Sequence, residues 1–219
     1  MENRIHNQGQ AKIFENPVLE TLSKTRPWVI YAIYIPLSAY LLYYSSSSLG
    51  YSSGFIAGVF FIGMFSWTLF EYVAHRFLFH YEATSELGKR IVYIFHGTHH
   101  EYPRDKERLF MPPVPSVFFA LVVFFLQYLL FRLFTGSGDY TFIFFPGFLI
   151  GYLIYVSMHY AIHRYPPPKR FKALWRNHHL HHYKYPDHGF GVSSTLWDVI
   201  FRTVPRKDLG RERTDREHP

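Results

Sequence analysis

The chain alternates long uncharged apolar runs with short polar ones. Between Arg26 and Glu71 there is no Asp, Glu, Lys or Arg: residues 27–70, or 44 positions. A helix that crosses a bilayer needs about 20 residues, so this run has room for two crossings and a turn. The turn is written in the sequence as "SSSSLGYSSG", residues 45–54, a cluster of the residues that punctuate helices. Spans are predicted near 27–44 and 54–72. Residues 109–131 and 140–158 are also free of charge, with "RLFTGSGD" between them. They predict a second pair of spans. A soluble core helix seldom runs this far without a charged outer face. The pattern therefore predicts an all-α integral membrane protein, with four transmembrane helices arranged as two hairpins.

Charge orients these elements. Arg4, Lys12, Lys24 and Arg26 precede the first span. Lys89, Arg90, Arg104, Lys106 and Arg108 lie between the hairpins, and Lys169, Arg170, Lys172 and Arg176 follow the last span. The turns within the hairpins hold only Arg132 and Asp139. By the positive-inside rule both termini and the central segment are expected on the cytoplasmic side. Segments 73–108 and 159–219 contain no span and are long enough to form a cap there. The whole chain, 1–219, reads as a single domain. The net charge of +7 and the 21% of aromatic residues fit a membrane protein with basic cytoplasmic loops, and no nucleic-acid partner is expected. Cysteine is absent, which excludes disulfides, thiolate-bound zinc and thiol catalysis. The N-terminal stretch "MENRIHNQGQAKIFENP" lacks the apolar region of a secretory signal.

Histidine supplies the candidate chemistry. Of 14 histidines, ten fall in four clusters: "HRFLFH" (His75, His80), "HGTHH" (His96, His99, His100), "HYAIH" (His159, His163) and "HHLHH" without its second member (His178, His181, His182). Helical residues three or four apart share a face. His159 and His163 should point the same way, and His99 and His100 should flank the direction of His96, so one short helix can serve two neighbouring ions. His75 and His80 are five apart, about 140° around an α-helix, which suits opposite sides of a site or a helix that ends between them. Ten imidazoles are too many for one ion with about four ligands and suit two with about five nitrogens each. Such a donor set is compatible with iron, copper, nickel or zinc. Glu71, four residues before His75, reads as a partner that fixes an imidazole tautomer. His179, Asp187 and His188 are candidates for outer contacts or substrate contacts. His6 and His218 lie in polar ends and are expected to be solvated.

The stretches "EYVAHRFLFH", "HGTHHEYPRDKERLFMPP", "HYAIH" and "HHLHHYKYPDHGFGVSSTLWD" resemble the membrane fatty acid hydroxylase superfamily, and within it the fatty acid and sphingolipid 2-hydroxylases. The resemblance runs from about Trp67 to Thr203. It implies four spans, a cytoplasmic histidine-rich cap over a dimetal site, and O2-dependent hydroxylation of an acyl chain at the carbon beside the carbonyl. It further implies one metal held by His80, His96, His99, His178 and His181, and a second held by His75, His100, His159, His163 and His182. Two iron ions are the expected working metals. Zinc could occupy the site but has no redox chemistry. The haem-binding "HPGG" of a fused cytochrome b5 domain is not found, so electrons are expected from a separate cytochrome b5-like or ferredoxin-like carrier with an NAD(P)H reductase. The bacterial inner membrane is a better expectation than the endoplasmic reticulum. Two other classes compete. A sterol or carotenoid hydroxylase or desaturase of the same superfamily would oxidise a ring. A membrane metal carrier or sensor would favour polar ligands within the spans, and Gln127 is the obvious polar residue of 109–131.

Overall fold

The computed structural model describes residues 5–205. A short helix α1 (Pro17–Leu22) leads into α2 (Pro27–Ser47). The next helix, α3 (Ser53–Val73), continues into a π-helical turn, Ala74–Phe79. Helix α4 (Glu86–Val92) runs through a second π-helical turn, Tyr93–Gly97, into α5 (Thr98–Glu101). Two long helices follow, α6 (Pro113–Thr135) and α7 (Thr141–Arg164), then α8 (Lys172–Tyr183) and the single turn α9 (Leu196–Ile200). No strand forms among the described residues.

Four of these helices, α2, α3 with its π-turn, α6 and α7, are long and apolar enough to cross a membrane. Their boundaries follow local chemistry. Proline opens α2 and α6 at their first positions, where its missing N–H would be unpaired in any case. This is why the third span starts at Pro113 and not at the first uncharged residue, Leu109. The Ser52 hydroxyl accepts the Phe55 N–H to cap α3. Gly136, at φ 78°, closes α6 in the left-handed conformation. At the other end, α3 with its π-turn and α7 outrun the expected spans, and these last turns carry His75 on the first and His159 and His163 on the second.

Helix α7 is the hub. It packs most extensively on α3 and next on α2, whereas α2 with α3 and α6 with α7, the pairs consecutive in the chain, touch less. Glycine permits the α3–α7 approach. A Cβ at Gly63 would collide with the Phe144 carbonyl, one at Gly147 with the Phe60 carbonyl, and one at Gly151 with Trp67. Small residues at such crossings let backbones meet where lipid supplies no hydrophobic drive. On the α2 side of α7, Ile30, Tyr34, Leu41, Leu149 and Leu153 form a buried apolar cluster. The Tyr34 hydroxyl, 2.7 Å from the Ser116 hydroxyl, ties α2 to α6.

The segments 80–112 and 165–205 gather at the end of the bundle where α3 and α7 finish. The N-terminal segment is fastened to them. His6 N–H donates to the Glu101 carbonyl at 2.7 Å and Thr25 N–H to the Glu107 carbonyl at 2.9 Å. Glu20 pairs with Arg108.

Candidate metal centre

Ten histidines converge at this end of the bundle as two groups of five. His75, His80, His96, His100 and His181 form one; His99, His159, His163, His178 and His182 form the other. Within each group one nitrogen per ring lies within 4.8 Å of all the others. Neighbouring Nε2 atoms stand 2.8–3.2 Å apart, as in His75–His96, His100–His96 and His80–His181 of the first group and His159–His99, His163–His178 and His182–His178 of the second. Ligands about 2.1 Å from one ion and roughly at right angles would be separated by about 3 Å.

The tautomers support the same reading. His75 Nδ1 lies 2.6 Å from the Phe190 carbonyl and His181 Nδ1 lies 2.9 Å from the His188 carbonyl. A carbonyl only accepts, so both Nδ1 atoms carry the proton and both Nε2 atoms present lone pairs. Lone pairs from several rings aimed at one point fit a cation. Electrostatics keeps the rings neutral. Burial, reinforced by neighbouring imidazoles, pushes His96, His99, His178, His181 and His182 well below the usual histidine range. Burial lowers His100 to about 3, with help from His80 and His159. It lowers His80 to about 4 against the opposing pull of Asp187.

This grouping differs from the one implied by the resemblance. His75 and His100 exchange places with His99 and His178. Helix geometry supplies the reason. In both H-x-x-H-H motifs the i, i+4 pair stays together, His96 with His100 and His178 with His182, while the i+3 member, His99 or His181, turns to the other group. At 100° per residue the i+4 ring is offset by about 40°, the i+3 ring by about 60° in the opposite sense. His75 and His80 also share a group, although an α-helix would hold them far apart. The π-turn Ala74–Phe79 stacks i on i+5, and His80 N–H reaches the His75 carbonyl at 3.3 Å.

The outer contacts are also redistributed. Glu71 does not set the His75 tautomer directly. Its hydrogen bonds among the described residues come from Val192 N–H at 2.6 Å, Ser193 N–H at 2.8 Å and the Ser193 hydroxyl at 2.5 Å. It holds the loop 190–193, and the Phe190 carbonyl in that loop holds His75. Asp198, which is not among the sequence-based candidates, grips the same loop. It accepts from Phe190 N–H at 3.0 Å, Gly191 N–H at 2.8 Å and the Thr203 hydroxyl at 2.7 Å. Its signal was a carboxylate inside the apolar run "TLWDVIF", since a buried acid requires donors. His188 contributes through its backbone, and its ring nitrogen lies 3.2 Å from the exposed Asp187. His179 is half-buried and belongs to neither group. His6 stacks on Tyr102 away from both groups, and His218 lies outside the described residues.

A cavity of about 660 Å³ opens beside the histidines. His96, His99 and His159 form one end, and the lining continues between the helices through Tyr155, Leu149 and Phe145. The walls are overwhelmingly apolar. A converging nitrogen set at the mouth of an apolar slot can place an oxidising metal beside a hydrocarbon chain.

Residues 60–203 match the family model described as fatty acid hydroxylase. The chain belongs to the fatty acid hydroxylase family. Among similar proteins is the dihydroceramide fatty acyl 2-hydroxylase FAH2 of Arabidopsis thaliana, 35% identical over 89% of this chain and 80% of that protein. The ceramide very long chain fatty acid hydroxylase SCS7 of Saccharomyces cerevisiae is 34% identical over 91% of this chain and 51% of its own length. Rattus norvegicus fatty acid 2-hydroxylase is 36% identical over 88% and 56%. The chain thus spans about half the length of the yeast and rat relatives. A solved structure of full-length scs7p, in which only the hydroxylase domain is visible, superposes with a TM-score of 0.83 at 34% identity. That match covers 92% of this chain and 75% of the other. The protein is an oxidoreductase of the fatty acid 2-hydroxylase type.

Proposed function

We propose that the protein inserts a hydroxyl group at the 2-position of a fatty acyl chain carried by a ceramide or related acyl lipid, using O2 and a pair of irons. The observation that carries this reading is the position of the two histidine groups at one end of the apolar cavity. The named relatives act on fatty acids and ceramides, and the cavity suits such a chain. In the balanced reaction, one O2, two electrons and two protons convert the C–H bond to C–OH and release one water. Iron held by the ten histidines would supply the redox chemistry for attack on an unactivated C–H bond, which no side chain provides.

The chain's own residues do the rest. His75 and His181, fixed by the Phe190 and His188 carbonyls, keep their Nε2 lone pairs directed inward. Apolar walls exclude water and hold the chain extended. A headgroup left at the cap end stays near water, while the carbons beside the carbonyl lie nearest the histidines. That ordering favours oxidation at the head of the chain over its tail. The basic residues flanking the spans support a cap on the cytoplasmic face of a multi-pass protein, in a bacterial inner membrane or the endoplasmic reticulum. Exposed Arg164, Lys169, Arg170, Lys172 and Arg176 would attract an acidic electron carrier, cytochrome b5-like or ferredoxin-like, reduced by an NAD(P)H reductase.

The test is expression in a host that makes no 2-hydroxy lipids, under ¹⁸O-labelled oxygen gas, followed by mass spectrometry. Label at the 2-position of acyl chains is expected. A new double bond, a mid-chain hydroxyl or label from water would overturn the reading.

A further inference from the structure

The apolar cavity has a mouth. Its deep wall is buried and holds Phe145, Phe148 and Leu149 of α7 with Trp67 of α3. Another part of the lining is open. Phe77, Leu78 and Tyr81 line the cavity and are 55–62% exposed. Ile91, Phe95 and Phe119 also line it and are exposed. These six rim residues come from three places: the end of α3 with its π-turn, the run from α4 into the second π-turn, and α6. Helix α6 makes no extensive contact with α3 or α4, so the opening lies between them.

The chemistry of the rim says what it faces. All six side chains are large and uncharged, and five have no polar atom. A contiguous apolar rim of this kind is unfavourable against water and marks a surface that something apolar covers. Its depth names that cover. Phe77 and Leu78 lie at the end of one candidate span, Ser53–Phe79, and Phe119 lies within the first two turns of another, Pro113–Thr135. The opening therefore stands at the level of the bilayer surface, with lipid beside it. Helix α4 crosses it as an interfacial helix would. Its Gly88, Ile91 and Val92 line the cavity, its Glu86, Lys89 and Arg90 are exposed and outside the lining, and none of its residues is buried. The Phe95 ring meets the Phe119 ring edge-on at 5.6 Å and so bridges the opening from the second π-turn to α6.

We propose that this opening is a lateral entrance through which the acyl chain of a lipid resident in the bilayer slides into the cavity, and that the Phe95–Phe119 pair is the bar across it. This rests on the acyl reading of the cavity and extends it to the route by which the chain arrives. Only the reacting chain has to pass. The headgroup and a second chain stay outside, in the leaflet. The entrance therefore suits two-chain lipids taken directly from the membrane, over an acyl group brought through water on a soluble carrier. An edge-on aromatic pair is held by weak contacts, and it parts without breaking a hydrogen bond or an ion pair.

The chain contains no cysteine, so Phe95→Cys combined with Phe119→Cys introduces a single thiol pair across the entrance. The full-length double variant is loaded with N-hexadecanoyl sphingoid base, bridged with a short bifunctional methanethiosulfonate reagent, and reconstituted into nanodiscs whose bilayer contains a deuterated copy of the same lipid. Native mass spectrometry then follows replacement of the bound lipid. Replacement is expected to be at least tenfold slower in bridged protein than in unbridged protein, and dithiothreitol, which releases the bridge, should restore the faster rate. Each single-cysteine variant treated with the same reagent should exchange like untreated protein. Ile91→Cys with Phe119→Cys and a longer reagent spans the same opening without altering a neighbour of His96, and it carries the test if the first pair does not fold. Exchange at the unbridged rate in bridged protein would place the route elsewhere and overturn the proposal, as would equal slowing in the single-cysteine variants. Failure of the unbridged protein to retain any lipid would remove the acyl reading of the cavity, and this proposal with it.

Discussion

Asp198 shows how a residue outside both histidine groups can govern a ring within one of them. It sits fully buried on α9 and accepts three hydrogen bonds, two of them from the backbone of Phe190 and Gly191. Burial pushes its carboxyl above the usual range, while these donors pull the other way. Truncation to alanine would strand two amide N–H groups and leave the Thr203 hydroxyl with Tyr72 alone, at a cost of about 3 kcal/mol. Asp198→Ala is therefore expected to lower the thermal unfolding midpoint in detergent. It should also reduce metal content, because the Phe190 carbonyl that fixes His75 would lose its anchor. A variant with wild-type stability and metal content would show that Glu71 alone suffices for the loop. At this scale the sequence revealed the histidines more readily than their supports. Ten imidazoles in four motifs announce themselves by type and spacing. The Phe190 and His188 carbonyls cannot, since every residue has one, and only the fold selects which of them meets a ring.

The helices explain why membership in the site was legible when its division was not. The i, i+4 logic placed His159 beside His163 on α7. The same logic pairs His96 with His100 and His178 with His182, a division the family resemblance did not imply. His75 and His80 were harder, because their partnership depends on the π-turn Ala74–Phe79, and apolar periodicity carries no mark of one extra residue in a turn. Deleting that extra residue makes a direct test. Removal of Leu78, which is 62% exposed, would let the segment revert to α-helical winding. The spacing of the two histidines would become i, i+4, about 40° apart, close to the stacking that the π-turn gives to i and i+5. The variant is expected to fold and to keep the metal content of wild type. Elemental analysis of the purified protein reads this directly, and loss of half the metal would mean that this stacking is not what pairs the two rings.

At the scale of the whole molecule, α7 joins the chemistry to the bilayer. The same helix offers His159 and His163 to one histidine group, closes on α3 through Gly147 and Gly151, and lines the cavity down to Phe145. The four apolar spans and their approximate ends were readable in the sequence. The cavity between them was not, because it depends on which helices meet, and α7 meets α3 more than its neighbour in sequence. Its length has a consequence for the substrate. Fourteen residues separate His159 from Phe145, and at 1.5 Å per residue that is about 21 Å. An extended hydrocarbon with bonds of about 1.5 Å advances roughly 1.3 Å per carbon, so the cavity accommodates about sixteen carbons before the chain meets Phe145. The ring of Phe145 is buried and braced edge-on by Phe124 at 5.2 Å, which makes it a firm floor. Phe145→Ala would remove a ring about 5 Å deep, the reach of three or four carbons by the same spacing, and leave Phe124 as the next barrier. Phe145→Leu should act in the same direction with a smaller opening and less cost to packing. The expected result is a shift of the 2-hydroxy acyl products toward longer chains by two to four carbons in Phe145→Ala and by less in Phe145→Leu. Hydrolysis of the lipids and mass spectrometry of the released acids would measure it. An unchanged chain-length distribution in a folded, active Phe145→Ala variant would mean that the chain ends elsewhere and that α7 does not set its length.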